Sequence, residues 1–379
     1  MSSWQEYIER KLQQRKAQGA LRRLNGEHVL EVDFSSNDYL GISRKYIDSQ
    51  DFVLSGLGSS GSRLLNGDSV VFHDVEKQLA EFYEGEDALL FNSGYDANIG
   101  VLQALLDRHT LVLYDEYVHA SIRDGIKMSD AKALKFRHND IDHLDELLTN
   151  WDAERVLVVV ESLYSMDGDR SDLESLVALR QKYGFELVVD EAHSTGLFGK
   201  RGEGLVCELG YVEDVMVRIH TFGKAIGFHG AVVICSQELK QYFVNFSRSL
   251  IYSTAMPESA VLTIKKLHDK MSKEFNNVHL IRSLSSLFKA SLNTYVKGVE
   301  IVGQGPIFGI IIPGNDQVQM VAEYIQNKGF DVRAIKSPTV LKGRERIRII
   351  MHSYNTYKEI EDFTLALMEA LQSSKKSKS

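Results

Sequence analysis

From about residue 70 to residue 235, short apolar runs alternate with longer helical patterns, and that rhythm leaves few architectures open. The runs are Ala88–Phe91, Leu111–Tyr114, Val156–Val160, Leu187–Val189, Val215–Ile219 and Ala231–Cys235. Most are continuously apolar, as strands buried on both faces must be. Helical stretches such as Asp172–Tyr183 lie between them. This alternation predicts an α/β fold, a large domain over 46–255 whose mainly parallel sheet is flanked by helices. Beyond about residue 255 the rhythm changes to one long helical pattern (Ala260 to about Leu292), a strand (Phe308–Ile312) and a helix ending near Gly329. A strand (Arg346–Ile350) and a last helix (Tyr357–Leu371) follow. These predict a smaller C-terminal α+β domain over 256–372. Ahead of the large domain, 1–45 reads as an amphipathic helix over 3–24, a strand His28–Phe34 and the loop Ser35–Gly41. The polar tail 373–379 is expected to fray.

Composition narrows the function. Among 379 residues, Lys+Arg total 44 and Asp+Glu 52, for a net charge of −8. An acidic chain is poorly suited to neutralising phosphates, so no nucleic-acid partner is expected. No apolar run approaches the ~18 residues of a membrane span. The start, MSSWQEYIERK, is charged where a signal peptide is apolar. The two cysteines, Cys207 and Cys235, form no CxxC, so neither a metal site nor a disulfide framework is expected. They read as small buried hydrophobes in a reducing, cytoplasmic setting.

One glycine motif is a decoy. Gly56-Leu-Gly-Ser-Ser-Gly61 fits GxGxxG, but only Phe52-Val-Leu54 precedes it and SRLLNGDS follows before any helix. A dinucleotide fingerprint needs a strong strand before and a helix directly after. A glycine-rich turn fits better.

The chemistry gathers at the end of the alternating region. The strand Glu186–Asp190 ends in a carboxylate and continues Glu191-Ala-His193. The strand Val215–Ile219 runs into His220-Thr221-Phe-Gly-Lys224. Ligands of parallel sheets collect at the C-terminal strand ends, so Asp190 and Lys224 are expected to share one cleft. Pyridoxal phosphate calls for such a set: a lysine for the Schiff base and an acid for the pyridinium nitrogen. Thr221 can serve the phosphate, as can backbone N–H groups of Ser93-Gly94-Tyr95 at a helix start.

Asp190–His193 together with Thr221–Lys224 resembles the α-oxoamine synthases, pyridoxal-phosphate enzymes of fold type I. The likeness covers nearly the whole chain and extends to Ser35–Gly41, Tyr164–Asp169, Ile251–Pro257 and Pro338-Thr339-Val340. It implies that Lys224 carries the cofactor, Asp190 meets the ring nitrogen, His193 its O3′ and His119 its face. It implies cofactor contacts at Gly94, Tyr95, Ser165 and Thr221. Ser253 and Thr254 are implied to reach a neighbouring subunit's cofactor in a homodimer. Arg348 is implied to hold the amino-acid carboxylate, with Arg22, Asn37, His119 and Thr339 as further substrate contacts.

The family joins an amino acid to an acyl thioester with loss of CO₂. The nearest likeness is to the member using L-alanine and a pimeloyl group carried on coenzyme A or an acyl carrier protein. Members using glycine or serine with other acyl groups are the alternative. Two places depart from the family pattern. Ile349–Asn355 differs from the usual polar pattern with a histidine near its end, and His229 stands where small residues are common, either narrowing the pocket or pointing outward.

Overall fold

The chain opens with α1 (Ser3–Ala17), capped by Ser2, whose Oγ accepts the Gln5 N–H at 3.3 Å. The helix stops short of the expected residue 24 because Gly19 turns the backbone to φ +62°, a conformation open to glycine. It buries no residue, and Trp4 is 72% exposed. The computed structural model describes residues 2–22, 30–46, 57–151 and 153–376. Arg23, the expected strand start at His28, the run Phe52–Leu54, Gly56 and the last three tail residues lie outside the described residues. Of the expected strand, β1 (Val32–Asp33) is described.

Two compact units divide the chain, one of residues 38–165 and 170–278, the other of 1–37, 166–169 and 279–379. The larger runs α2 (Ile42–Lys45), α3 (Val70–Phe82), β2 (Asp87–Phe91), α4 (Gly94–Leu105), β3 (Thr110–Asp115), α5 (Ala120–Lys127) and β4 (Lys132–Phe136). It continues α6 (Ile141–Asn150), β5 (Arg155–Glu161), α7 (Leu173–Tyr183), β6 (Glu186–Asp190), α8 (Leu205–Leu209) and β7 (Val217–Thr221). It closes with β8 (Ala231–Cys235), α9 (Gln237–Phe246), α10 (Arg248–Ile251) and α11 (Glu258–Glu274). Its seven strands lie in the order β2-β8-β7-β6-β5-β3-β4. Every pairing is parallel except the two made by β8. The strand β4 was absent from the sequence reading. Its Lys-Ala-Leu-Lys-Phe pattern is largely exposed, as suits a sheet edge, where lysine discourages further pairing. Residues Leu57–Gly61 of the glycine motif form bends, with Leu57 94% exposed, rather than a strand-to-helix turn.

The expected helix over 260–292 is two helices, α11 and α12 (Asn277–Tyr295). Asn277 stands at the break, and its Nδ2 donates to Glu274 Oε2 at 2.7 Å, linking the two helix ends. The compact units are also divided differently from the expected boundary at 255. Helix α11 falls in the larger unit, where His268 Nε2 lies 2.9 Å from the Tyr83 hydroxyl.

The smaller unit adds β9 (Ile301–Val302), β10 (Ile307–Ile311), α13 (Asn315–Gln326), β11 (Phe330–Asp331), β12 (Arg333–Ile335), β13 (Arg346–Ile350) and α14 (Tyr357–Lys376). An antiparallel sheet β12-β13-β10-β9 forms its centre, and β1 pairs in parallel with β11. Phe34 meets Phe363 at a ring separation of 4.6 Å and Phe288 meets Phe308 at 5.2 Å, so apolar burial ties the N-terminal segment to α14. Along β13 the alternation of a strand puts Arg346 and Arg348 on one face and Ile347 and Ile349 on the other. Arg346 is committed to Asp167 at 2.7 Å and to the Met166 carbonyl at 3.0 Å.

Buried His268 bears directly on stability. Its Nδ1 donates to the Ile264 carbonyl at 2.7 Å and its Nε2 accepts from Tyr83, which satisfies a neutral ring. Burial pushes its pKa down to about 4, against the opposing Ile264 hydrogen bond. The unfolded chain, with an ordinary histidine value of 6.5, binds the proton first as pH falls. Stability is therefore expected to drop from about pH 6.5 to about pH 4. Thermal melts across that window measure the slope, which is expected to flatten in His268→Gln.

Candidate active site

Parallel register places three polar strand ends side by side. Glu161, last on β5, is the direct partner of Asp190, last on β6, and β7 beside them ends at Thr221. Lys224 follows in the turn after β7, its Nζ 3.3 Å from Thr221 Oγ1. The acid and the amine expected to share a cleft thus sit at neighbouring strand ends.

Asp190 is 5% exposed and accepts two hydrogen bonds: Asn98 Nδ2 to its Oδ2 at 2.8 Å, and the Ala192 N–H to its Oδ1 at 2.9 Å. Asn98 was not among the residues picked from sequence. It lies four residues after Gly94 on α4, one helical turn inward, and that spacing was the available signal. The adjacent acid, Glu191, is spent elsewhere. Its Oε1 accepts from Ser194 Oγ at 2.8 Å and from the Leu205 N–H at 2.9 Å, which caps α8.

His119 begins α5, with Nδ1 2.7 Å from Ser121 Oγ and 3.3 Å from the Ser121 N–H. Part of its surface is exposed, yet enough protein surrounds the ring for burial to hold its pKa below the ordinary histidine value. The Asp190 charge opposes that shift and the Lys224 charge adds to it, so His119 senses both groups. Its Nδ1 accepts from a backbone N–H, which suits the neutral ring. His193 is nearly buried and has Nδ1 2.7 Å from the hydroxyl of fully buried Tyr39, a second contributor unassigned by the sequence reading.

Glu161 is a third group missed from sequence. It is 3% exposed, and its Oε1 has no hydrogen-bond partner among the described residues. Burial, reinforced by the Asp190 charge, pushes its pKa up to about 8, with Lys224 and the His119 N–H opposing. At neutral pH this carboxyl is mostly protonated, so the strand ends do not carry two adjacent negative charges.

The helix α4 starts at Gly94, where an added Cβ would lie 2.4 Å from Thr221 Cγ2. Glycine is therefore needed where the helix start presses on the strand end. Ser93 caps this 12-residue helix, its Oγ accepting the Asp96 N–H at 3.1 Å. A helix start lined by Thr221 is a fitting cradle for a phosphate. Tyr95 is 45% exposed and its hydroxyl donates to Asp124 at 2.7 Å. Ser165 is half-buried on the loop after β5, and Ser253 is half-buried beside exposed Thr254. His229 is exposed, which favours the outward alternative. Both cysteine thiols are pushed up to about 12 by burial, although Cys207 is only half-buried.

The smaller unit holds the remaining candidates in two pairs. Arg348 is 8% exposed on β13 and donates from Nη2 to Asn37 Oδ1 at 2.8 Å. Arg22 donates from Nη2 to Thr339 Oγ1 at 3.0 Å, with both side chains exposed.

An acid held at one strand end, a lysine beside the next, and a helix start pressed on that second end fit pyridoxal phosphate. On this mainly parallel sheet they define a pyridoxal-phosphate-dependent transferase of fold type I. The aminotransferase class I and II family matches residues 31–363. A Haemophilus ducreyi protein named 8-amino-7-oxononanoate synthase is 37% identical over 352 residues, 89% of this chain and 90% of its own. An Emericella nidulans protein of the same name is 36% identical over 377 residues, 92% of this chain and 91% of its own. The serine palmitoyltransferase of S. paucimobilis shares the fold, with a TM-score of 0.87 and 24% identity over 99% of each chain. The chain belongs to the aminotransferase class I and II family, in the group of the 8-amino-7-oxononanoate synthases, acyl-transferring pyridoxal-phosphate enzymes.

Asn98 offers a test of the acid's setting. Asn98→Ala is expected to leave buried Asp190 short of one donor and to weaken cofactor retention by roughly 1–3 kcal/mol. Equilibrium dialysis of pyridoxal phosphate against the variant measures it.

Proposed function

We propose that this enzyme condenses L-alanine with a pimeloyl thioester, releasing CO₂ and a thiol and forming 8-amino-7-oxononanoate. The observation that carries the reading is Lys224 beside Thr221 at one strand end, next to Asp190 held by Asn98 at the neighbouring end. Lys224, Asp190, His193, Thr221, Ser165 and the start of α4 would hold the cofactor. Pyridoxal phosphate supplies, when bound, an electron sink for the pair left on the amino-acid Cα.

The chain's own groups do the rest. Arg348, held by Asn37, takes the alanine carboxylate, and its planar fork suits a bidentate pair. Lys224 Nζ removes the Cα proton as general base. Asp190 keeps a proton on the ring nitrogen. His119, uncharged, lends the face of its ring without competing for that charge. The bond between Cα and the acyl carbon forms as the carbon–sulfur bond breaks and the thiolate leaves. The Cα–carboxylate bond then breaks, CO₂ departs, and Lys224 returns a proton to Cα. Arg22 and Thr339, hydrogen-bonded to each other, are assigned to the acyl substrate. Two copies pair in this reading, with Ser253 and Thr254 serving the neighbour's cofactor. Tyr252, 72% exposed just before them, supports it.

Purified enzyme given alanine, glycine or serine with a panel of acyl thioesters is expected to release thiol fastest with alanine and the pimeloyl group. A preference for serine or glycine would replace the assigned substrate while keeping the reaction class. Lys224→Ala is expected to abolish thiol and CO₂ release; turnover by that variant would refute the assignment. Arg348→Ala is expected to raise the KM for alanine by an amount equivalent to roughly 2–5 kcal/mol, the cost of leaving a charge without its partner.

A further inference from the structure

The segment Ile349–Asn355 departs from the family pattern, and in the folded chain its polar side chains converge on the loop that carries Asn37. His352 is fully buried. Its backbone N–H donates to Asn355 Oδ1 at 2.9 Å, while Asn355 Nδ2 donates to the Asp33 carbonyl at 3.1 Å. These two bonds fix which end of the Asn355 amide is oxygen. His352 Nδ1 lies 3.1 Å from that same Oδ1. His352 Nε2 lies 2.9 Å from the Ser36 carbonyl oxygen and 3.2 Å from Ser36 Oγ. Neither the amide oxygen nor the carbonyl can donate a hydrogen. A neutral imidazole would set one lone pair against an oxygen lone pair. Two N–H groups satisfy both contacts, and a ring with two N–H groups is the cation.

The surroundings balance that charge. Asp33 Oδ1 accepts the N–H groups of Ser35 at 2.8 Å and Ser36 at 3.0 Å. Asp33 Oδ2 accepts from the Tyr354 hydroxyl at 3.0 Å, and Tyr354 stacks on the His352 ring at 4.7 Å. Burial alone would raise the Asp33 pKa, but the His352 charge and the two serine N–H groups hold it far below the usual carboxylate range. Other charges in this neighbourhood include Asp331, which accepts from Ser35 Oγ at 2.8 Å, its partner Arg333 at 3.0 Å, and Arg348. Ser36 is thus gripped through its carbonyl, its N–H and its hydroxyl. The next residue, Asn37, accepts from Arg348.

We propose that His352 is a positioning residue: as a buried imidazolium it locks the Ser36 carbonyl, which seats Asn37 against Arg348 and aims the guanidinium at the amino-acid carboxylate. This rests on the reading of Arg348 as the carboxylate clamp. In this role His352 acts on the substrate only through Arg348. Its effect passes through one loop to one hydrogen bond.

Two measurements test it. In intact protein with nitrogen-labelled histidine, the His352 ring is expected to carry two protons at about pH 8, where an unperturbed histidine has lost one. The resonance is assigned by its loss in His352→Gln. A neutral ring at that pH overturns the proposal. In steady-state kinetics His352→Ala is expected to raise the amino-acid KM about tenfold, with little change in kcat or in the thioester KM. His352→Gln, which keeps a donor for Ser36, is expected to recover part of the loss. Equal damage to both KM values, or none, overturns the positioning role. Arg348→Ala run alongside separates the two readings. If it raises the alanine KM and His352→Ala does not, only the present proposal fails. If Arg348→Ala leaves the alanine KM unchanged, the clamp itself fails and the role of His352 falls with it.

Discussion

The chemistry depends on the parallel register of three strands. With β5, β6 and β7 paired in order, Glu161 must stand beside Asp190, and the turn holding Lys224 must follow the next strand. Their buried polar ends can hold charge only where protein dipoles replace the lost water. Asn98 and the Ala192 N–H do this for Asp190. Glu161 makes no such bond through Oε1 and keeps its proton instead. Burial therefore favours the protonated form at Glu161, while Asp190 has a donor at each oxygen. The difference lies in which one faces α4, since Asn98 on that helix reaches Asp190.

The same accounting of donors and acceptors separates the histidines. His268 has one acceptor and one donor opposite its two nitrogens, and is neutral. His119 accepts a backbone N–H at the start of α5, which also favours the uncharged ring. His352 faces the Asn355 amide oxygen and the Ser36 carbonyl in a fully buried place, and two oxygens that cannot donate favour the cation. Burial by itself would make all three neutral. Partners within hydrogen-bond distance overrule it for His352 because an ionised carboxylate, Asp33, is built into the same cluster.

Sequence disclosed the strand-end chemistry because strand ends are legible: an apolar run that stops at Asp190, or at Thr221 three residues before Lys224, marks its own position. It did not disclose what supports those ends. Asn98 lies within an ordinary helical stretch, and only the placement of α4 against β6 gives it a partner. Glu161 lies one residue past the apolar run Val156–Val160, and only the pairing of β5 with its neighbours shows that it is buried. The edge strand β4 was missed because its lysines imitate a surface loop. His352 was noticed as part of a departure from pattern, but its partner Ser36 is 316 residues away in sequence. Local spacing carries no information about a contact of that separation.

That separation also shapes the smaller unit. One hydrogen bond joins Asn37, near the start of the chain, to Arg348 near the end, and the N-terminal segment is held by the β1–β11 pairing, the Phe34–Phe363 contact and the His352 cluster. Loop closure over such a span costs entropy that grows only slowly with length, but it must be met before any contact rewards it. A single hydrogen bond, worth about 1 kcal/mol, could not hold Asn37 in place alone. The buried aromatic pair supplies the attraction, and the charged His352–Asp33 cluster supplies the direction. Apolar burial would tolerate a loop displaced by a fraction of an ångström; hydrogen bonds at fixed angles would not. The polar cluster behind Asn37 is therefore the part of the small unit that sets the geometry of Arg348.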